Sequence, residues 1–370
     1  MRSVAVADVN DRVFNFSAGP ATLPLSVLRE AQEDLLCLPG AGASILEISH
    51  RSEVFTQVLE EAERNLRQLL EIPDNYRTLF LQGGALLQFS MVPMNLMLGE
   101  NRPGSYVLTG TWGRKAVQEA VKVGATTVAW SGEEDGFRRV PADSALELDE
   151  NASYVHMTSN ETIQGVQFQA IPDVGEVPLV CDASSDFLSR PMPVDRYGLL
   201  YACAQKNAGA AGLAVVLVRD DLLARSSEKL GAMLDYRRQA EAGSRLNTPP
   251  VFAIYLFMLI TRWLQNEGGL AAVAERNRSK AALLYEVIDS GDFFTGHASV
   301  DSRSHMNVTF RLPSEVLEKQ FLASAERRGL CSLKGHRSVG GIRASIYNAM
   351  PLEGVEALRR FMMEFEKSQA

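Results

Sequence analysis

Cysteine is scarce in this sequence of 370 residues, which contains only four, and no two of them lie close together. The four are Cys37, Cys181, Cys203 and Cys331, without a CxxC pair or a Cys/His spacing typical of zinc ligands. The sequence therefore predicts neither a disulfide scaffold nor a metal site. We expect the four cysteines to be reduced thiols, which indicates a reducing compartment.

Long basic segments and long apolar segments are also lacking. The formal net charge is −8, which argues against a nucleic-acid surface. The most apolar run, Val251–Ile260, is too short to span a bilayer, and Arg262 follows it. Met1–Arg12 has no apolar core of the kind found in signal peptides. We expect a cytoplasmic protein without membrane or nucleic-acid partners, in which any anionic ligand must meet a local cluster of cations.

The chain does contain a regular alternation of strand and helix patterns, which is typical of a largely parallel sheet covered by helices. Seven strands are predicted, at Thr78–Gln82, Tyr106–Thr109, Thr126–Trp130, Tyr154–Thr158, Pro178–Asp182, Leu199–Ala204 and Leu213–Val218. After Gly268 the pattern changes to helices separated by two strands, which indicates a smaller α/β lobe. A chain of this length is long enough for two lobes.

Three helices are predicted ahead of the second strand. Ser26 is a candidate cap for the first, and the second starts near Ser52. The third opens at Gly83-Gly84, and Pro93 must kink or break it.

Lys206 stands between two predicted strands, in a stretch of small residues. Desolvating an ammonium group is costly, so a lysine between apolar strands needs a reason to be there. One interpretation is an amine held ready to form a Schiff base with a carbonyl cofactor, with Ala208–Gly212 letting a flat ring approach the backbone. The other is an ordinary lysine in an exposed turn, and the segment alone leaves both open.

Four further features follow predicted strands, where open parallel sheets bind their ligands. The Gly-Gly turn in Gln82–Leu86 suits a phosphate at a helix start, and Trp112 could stack on a ring. Thr162 could donate a hydroxyl, and Asp182 could stabilise a protonated pyridine nitrogen. Each has an ordinary explanation as a tight turn, core packing or a cap, but the combination with Lys206 is far more specific than any part.

Several longer stretches of the sequence resemble those of a known family. They are Ser49–Arg51, Asn160–Gly165, Leu188–Pro191, Ala204–Asn207, Asn247–Pro250 and Lys334–Arg343. On these stretches the sequence resembles the phosphoserine aminotransferases, fold type I pyridoxal 5'-phosphate (PLP) enzymes of the class V aminotransferases. The resemblance runs from Phe14 to Glu353. It implies a large PLP-binding domain at residues 26–267, with the mainly parallel seven-stranded sheet, and a small α/β domain at residues 1–25 and 268–370.

The resemblance also implies which residues hold the cofactor. Lys206 would form the internal aldimine, and Asp182 would pair with the pyridine nitrogen. Trp112 would stack on the ring, and Thr162 would bond its hydroxyl oxygen. The phosphate would be held by the backbone of Ala85 and Leu86, by Gln205, and by Asn247 and Thr248 of the partner subunit.

The substrates implied are L-glutamate and 3-phosphohydroxypyruvate, giving O-phospho-L-serine and 2-oxoglutarate in serine biosynthesis. The related four-carbon phosphorylated oxo-acid of vitamin B6 synthesis is a second candidate. Arg343 would pair with the substrate α-carboxylate. The distal phosphate or carboxylate would meet His50, Arg51, and His336 and Arg337 of the partner subunit, so that a homodimer shares its active sites.

Two positions depart from the family pattern. Leu86 stands where some members carry an arginine that helps bind the substrate phosphate, and Ala18 stands where some have a serine that contacts substrate. One anion contact is therefore in question.

Other interpretations remain open at this stage. His50 and Arg51 could cap the helix near Ser52, and His336 and Arg337 could belong to a solvated loop. The alternatives for the whole chain are another class V enzyme, such as a serine- or alanine-glyoxylate transaminase, or a non-catalytic PLP-binding protein. A nicotinamide dehydrogenase is disfavoured because no GxGxxG follows the first strand of a βαβ unit.

Overall fold

The computed structural model describes residues 12–99 and 101–369. The expectation of no signal peptide, and residues 1–11 of the expected small domain, lie outside the described residues. The strands are β1 Phe14–Asn15, β2 Tyr76–Gln82, β3 Gly104–Leu108, β4 Thr126–Ser131, β5 Tyr154–Thr158, β6 Asn160–Glu161, β7 Val166–Gln167, β8 Leu179–Asp182, β9 Leu199–Cys203, β10 Leu213–Arg219, β11 Thr295–Gly296, β12 Asn307–Arg311, β13 Leu330–Cys331 and β14 Ile342–Ser345. The helices are α1 Leu25–Asp34, α2 Glu53–Leu70, α3 Gly84–Leu96, α4 Thr111–Ala120, α5 Asp220–Leu223, α6 Tyr236–Glu241, α7 Val251–Asn266, α8 Gly269–Asp289, α9 Glu315–Arg327 and α10 Leu352–Lys367.

The central sheet has seven strands in the order β2-β10-β9-β8-β5-β3-β4. Neighbouring strands from β9 to β4 pair in parallel, whereas β10 is antiparallel to β2 and to β9. The predicted mainly parallel seven-stranded sheet is confirmed. Strands β3, β5, β8 and β9 are buried along their whole length, which explains why their sequences are nearly continuous apolar runs.

Helices cover both faces of this sheet. One face packs in a cluster with α2 and α7, to which Phe55, Leu66 and Phe257 belong. The other face packs in a cluster with α3 and α4, to which Phe89 and Ala116 belong. The apolar run Val251–Ile260 thus lies in a buried helix, and no helix in the described ranges is both long and apolar enough to cross a membrane.

A third apolar cluster is formed within residues 281–365, around Phe310, Phe321 and Phe361. Phe16 belongs to the same cluster, and β1 pairs in parallel with β13. The segment at the start of the described chain therefore packs with this later part of the chain rather than with the central sheet.

Three details of the helices differ from, or refine, the expectations. Pro24 precedes α1 and no side chain caps that helix, so the predicted Ser26 cap is wrong. Ser52 does cap α2, because its hydroxyl accepts from the backbone N–H of Phe55 at 3.2 Å. Helix α3 continues through Pro93 to Leu96, so the proline does not end it.

Candidate active site

The turn between β9 and β10 reaches the edge of the sheet where the parallel strands end. Leu213 at the start of β10 lies opposite Gln82 at the end of β2, and Ala214 lies opposite Cys203. Lys206, in this turn, is therefore brought next to the start of α3 and to the carboxyl ends of β5 and β8. This is the edge at which open α/β sheets bind ligands.

A cavity of about 310 Å³ opens at this edge. Many of the residues predicted from the sequence line it together: Ala85, Leu86, Trp112, Thr162, Asp182, Gln205, Lys206, His336 and Arg343. Its volume falls in the range of about 300–1,000 Å³ that small-molecule sites occupy. The candidate site is thus one concave space.

Lys206 projects into this cavity and is partly exposed. Its Nζ donates to the hydroxyl of Thr162 at 2.8 Å and lies 5.7 Å from the centroid of the Trp112 ring. Burial lowers the pKa of Lys206, but the groups around it, Tyr347, Cys203 and Asp182 in that order, raise it above its ordinary value. The amine therefore carries a positive charge at neutral pH in this structure.

Asp182 is the last residue of β8 and is 3% exposed. Its Oδ1 accepts from the backbone N–H of Ser184 at 2.9 Å. Burial raises the pKa of Asp182, while the nearby charge of Lys206 opposes the increase. A protonated nitrogen on a ligand would add a positive charge beside this buried carboxylate and favour its ionised form.

The start of α3 forms one wall of the cavity, and it depends on Gly83. This residue has φ +88°, and a Cβ built on it would lie 2.5 Å from Cδ2 of Leu87. No side chain caps this helix, so the N–H groups of its first turn, at Ala85 and Leu86, and the positive end of the helix dipole suit an anion.

Two residues that line the cavity have unpartnered polar atoms. Among the described residues, Nε1 of Trp112 and Oε1 of Gln205 are buried without a hydrogen-bond partner, and both residues line the cavity. Buried polar groups in proteins are rarely left unpaired, so these two atoms favour a ligand that completes their hydrogen bonds.

The small residues after Lys206 do not have the role expected of them. None of Ala208–Gly212 lines the cavity. Ala208 is buried in the main core, and a Cβ on Gly209 would lie 3.7 Å from the backbone nitrogen of Phe257 in α7. These residues therefore do not form the wall of the cavity that a ring would enter, and at Gly209 it is the φ of +148° that favours glycine.

The cationic residues separate into two groups. Arg343 lies in β14, donates to the carbonyl of Thr162 at 3.4 Å and lines the cavity, as does His336. His50, Arg51 and Arg337 are not among the lining residues, and both arginines are exposed. The resemblance assigns His336 to the partner's site, whereas here it lines the cavity of its own chain.

Asn247 and Thr248 also lie outside the cavity lining, and both are exposed. The Nε2 of Gln82 donates to Oδ1 of Asn247 at 3.4 Å and to the carbonyl of Thr248 at 3.0 Å. They therefore lie on the surface beside the start of α3. The two departures from the family pattern, Leu86 and Ala18, both line the cavity, and Leu86 is 57% exposed.

Glu161 is a buried charge next to the site that the sequence did not single out. It is 0% exposed, lies between Asn160 and Thr162, and accepts from the backbone of Trp112 and Gly113. Its position inside the Asn160–Gly165 stretch was the available signal, but its partners lie nearly fifty residues away in the sequence.

Comparison with known proteins places the chain in a family. A family model described as Aminotransferase class-V matches residues 13–358. The chain is 54% identical over 358 residues to phosphoserine aminotransferase from Rhodopirellula baltica, covering 96% of this chain and 95% of that protein.

Solved structures agree with this assignment. Phosphoserine aminotransferase from Bacillus circulans subsp. alkalophilus superposes with a TM-score of 0.95 at 49% identity, covering 97% of this chain and 99% of that one. PLP-bound phosphoserine aminotransferase from Trichomonas vaginalis gives 0.90 at 40% identity, covering 95% and 100%. The chain belongs to the class V aminotransferases, with the fold type I architecture predicted from its sequence. Within that class it is a member of the phosphoserine aminotransferase family.

Proposed function

We propose that the protein transfers the amino group of L-glutamate to 3-phosphohydroxypyruvate, giving O-phospho-L-serine and 2-oxoglutarate. The observation that carries this proposal is the single cavity in which Lys206, Asp182 and Arg343 meet the uncapped start of α3. The family membership supplies the reaction class, and the charge of the cavity supports anionic substrates. The product would serve L-serine synthesis.

The cofactor is pyridoxal 5'-phosphate, as in the PLP-bound relative. The residues of the cavity fit this cofactor. An amine, a buried carboxylate, an aromatic ring and the N-terminus of a helix surround one cavity, and two of the lining residues have unpartnered polar atoms. When bound, this group supplies a carbonyl that reacts with amines and a ring that withdraws electrons from the substrate's Cα.

Several parts of the chain would hold the cofactor. The carboxylate of Asp182 keeps a proton on the pyridine nitrogen, which its buried position favours. Thr162 would bond the ring hydroxyl oxygen, and the Trp112 ring would pack on one face of the cofactor, since both residues line the cavity. The backbone of Ala85 and Leu86 binds the phosphate, to which Gln205, and Asn247 and Thr248 of the partner subunit, add contacts.

Lys206 would provide the amine that holds the cofactor, and the same amine would remove and return the proton on the substrate's Cα. Arg343 orients the substrate through its α-carboxylate, since a guanidinium fork matches a carboxylate. His336, Arg337, His50 and Arg51 would receive the distal group. Flexible cations suit this task, because the same place must accept the γ-carboxylate of glutamate and the phosphate of the oxo-acid.

Absorbance changes during the two half-reactions test the proposal. Glutamate should bleach the absorbance of the aldehyde form of the cofactor, and 3-phosphohydroxypyruvate should restore it with release of O-phospho-L-serine. The four-carbon phosphorylated oxo-acid tests the vitamin B6 step in the same assay. If glyoxylate or pyruvate restored the spectrum far better than either phosphorylated acid, a serine- or alanine-glyoxylate transaminase would replace this proposal. A cofactor that did not respond to any amino acid would indicate a non-catalytic PLP-binding protein.

Two further points belong to the proposal. The chain divides into a large domain at residues 26–267 and a small domain at residues 1–25 and 268–370, a division supported by the separate apolar cluster within residues 281–365. The protein works in the cytoplasm, which its four scattered cysteines support.

The active sites are proposed to be shared across a homodimer. Asn247 and Arg337 are exposed and lie outside the cavity of their own chain. Two apolar residues nearby are also exposed: Leu246 precedes Asn247 in the sequence, and Leu86 lies in the cavity wall. A twofold-related copy would cover this surface and bring its own cations to the substrate.

Mixing two inactive variants should therefore restore activity. Lys206→Ala lacks the catalytic amine and Arg337→Ala lacks the distal cation, so each homodimer should be inactive. In a heterodimer, the site that uses Lys206 of the Arg337→Ala subunit receives an intact Arg337 from the other subunit. Activity should rise towards one working site per heterodimer once subunits exchange, measured as phosphoserine formation.

The control is each variant mixed with itself under the same exchange conditions. If verified heterodimers remain inactive although both parents fold and dimerise, then Arg337 serves its own subunit and the sites are not shared in this way.

A further inference from the structure

Glu161 joins two parts of the site that are remote in sequence. Its Oε2 accepts from the backbone N–H of Trp112 at 3.0 Å, and its Oε1 accepts from that of Gly113 at 2.9 Å. Both N–H groups belong to the first turn of α4, where an anion is stabilised by the helix dipole and by otherwise unpaired donors. A side chain that is 0% exposed thus caps a helix contributed by another part of the chain.

The close approach of this carboxylate depends on Gly110, which precedes α4. A Cβ on Gly110 would lie 2.5 Å from Cδ of Glu161, so a larger residue would displace the carboxylate. Gln164 adds a second attachment, since its Oε1 accepts from the N–H of Thr111 at 3.3 Å and its Nε2 donates to the hydroxyl of Thr111 at 2.8 Å. The start of α4 is therefore bonded to residues 161 and 164 at four points.

Both attached elements carry residues that face Lys206. Thr162 follows Glu161 directly and accepts from the lysine Nζ at 2.8 Å. The backbone N–H of Trp112 donates to Glu161, and the centroid of its ring lies 5.7 Å from the Nζ of Lys206. One carboxylate therefore fixes a hydroxyl and an aromatic ring relative to each other and to the lysine.

We propose that Glu161 is a positioning residue, whose ionised carboxylate holds the Trp112 ring and the Thr162 hydroxyl in the geometry that binds the cofactor. The proposal rests on the function proposed above. It assigns to Glu161 no contact with the substrate or with the reacting atoms, and its effect is on cofactor affinity.

The charge of Glu161 is set by its neighbours. The pKa of Glu161 is raised to about 7, chiefly by burial, and the N–H groups of Gly113 and Trp112 oppose the increase. The charge of Asp182 on β8 contributes to the increase, and the charge of Lys206 opposes it. Protonation would convert one acceptor oxygen into a hydroxyl that repels an N–H, so cofactor affinity should fall as the pH drops through about 7.

The test compares Glu161→Gln with Asp235→Asn. Asp235 is also 0% exposed and also caps a helix, accepting from the backbone N–H of Arg237 at 2.9 Å and of Arg238 at 3.4 Å, but it does not line the cavity. Both changes replace a buried capping carboxylate with its amide, so a general loss of stability should affect both proteins through a lower Tm.

Only Glu161→Gln should alter cofactor binding. The dissociation constant of pyridoxal 5'-phosphate is measured by titration at several pH values between 6 and 8.5. At pH 8 it should be about tenfold higher in Glu161→Gln than in the wild-type protein, as expected from losing one charge-assisted hydrogen bond. The change of affinity near pH 7 should disappear in this variant and persist in Asp235→Asn. The fluorescence emission of Trp112 can be measured in the protein without cofactor once Trp130 and Trp263 are replaced by phenylalanine. It should show the same pH transition, and the transition should be absent when Glu161→Gln is added.

Wild-type affinity and an unchanged pH profile in Glu161→Gln would overturn the proposal. If that variant does not fold, Glu161→Asp decides, because it keeps the charge but shortens the side chain. It should weaken affinity while retaining the pH transition, and wild-type affinity in it would overturn the proposal. Failure of the wild-type protein to bind pyridoxal 5'-phosphate would instead refute the proposed function.

Discussion

Replacing Lys206 with arginine should remove nearly all turnover while the protein still folds. Arginine keeps the positive charge beside Thr162 and Trp112, so the electrostatic surroundings change little. Its guanidinium cannot attach the cofactor carbonyl and cannot release a proton at neutral pH, so both functions of the amine are lost. We expect the rate of phosphoserine formation to fall by about 10⁴-fold or more, the upper range for loss of a general acid–base group.

The matched control is Lys122→Arg. Lys122 follows α4 and pairs with Glu119 on the surface, outside the cavity lining. It should retain wild-type turnover, since an exposed pair of this kind contributes little. A Lys206→Arg protein that kept even a few per cent of wild-type turnover would show that another amine performs the chemistry.

Replacing Asp182 with asparagine should have the second largest effect. Asparagine keeps the shape and can still accept from the N–H of Ser184, but it has no charge to hold a proton on the pyridine nitrogen. The ring would then withdraw electrons poorly, and we expect the rate constant for proton removal from glutamate to fall by about 10³-fold. Stopped-flow absorbance of the glutamate half-reaction measures this step directly.

Asp186→Asn is the control for a buried carboxylate in the same segment. Asp186 is 0% exposed, accepts from Gln167 and pairs with Arg190, and does not line the cavity. Its replacement should lower stability but leave the half-reaction rate close to wild type. Near-normal turnover in Asp182→Asn would mean that Asp182 only caps the turn at Ser184.

The strands of the central sheet could be predicted from the sequence because most of them are buried on both faces and carry short, mostly apolar segments. Tyr154–Thr158 agrees to the residue, and the other six predicted strands overlap observed ones within two residues at each end. Their alternation with helices also predicts that their carboxyl ends meet at one edge. That is why the sequence alone could group Lys206, Asp182, Thr162 and Trp112, and why one cavity contains all four.

Features that depend on long-range packing could not be predicted in the same way. The small residues after Lys206 suggested room for a ring, but none of them lines the cavity, and Gly209 lies beside Phe257 of α7 instead. Glu161 was not singled out from the sequence, because nothing local shows that it caps α4. The pairing of β1 with β13 joins segments more than three hundred residues apart. Sequence patterns report local periodicity, and these contacts are set by tertiary structure.

Reduction of the holoprotein with borohydride, followed by peptide mapping, tests most directly whether the cavity around Lys206 is the cofactor site of a transaminase. Pyridoxyl label should appear on the peptide that contains Lys206, and prior addition of glutamate should largely prevent labelling. Lys115 is the informative competitor, because its Nζ lies 4.5 Å from the centroid of the Trp112 ring, closer than that of Lys206. Label on Lys115 or on any other lysine, or labelling of Lys206 that glutamate does not reduce, would contradict the account.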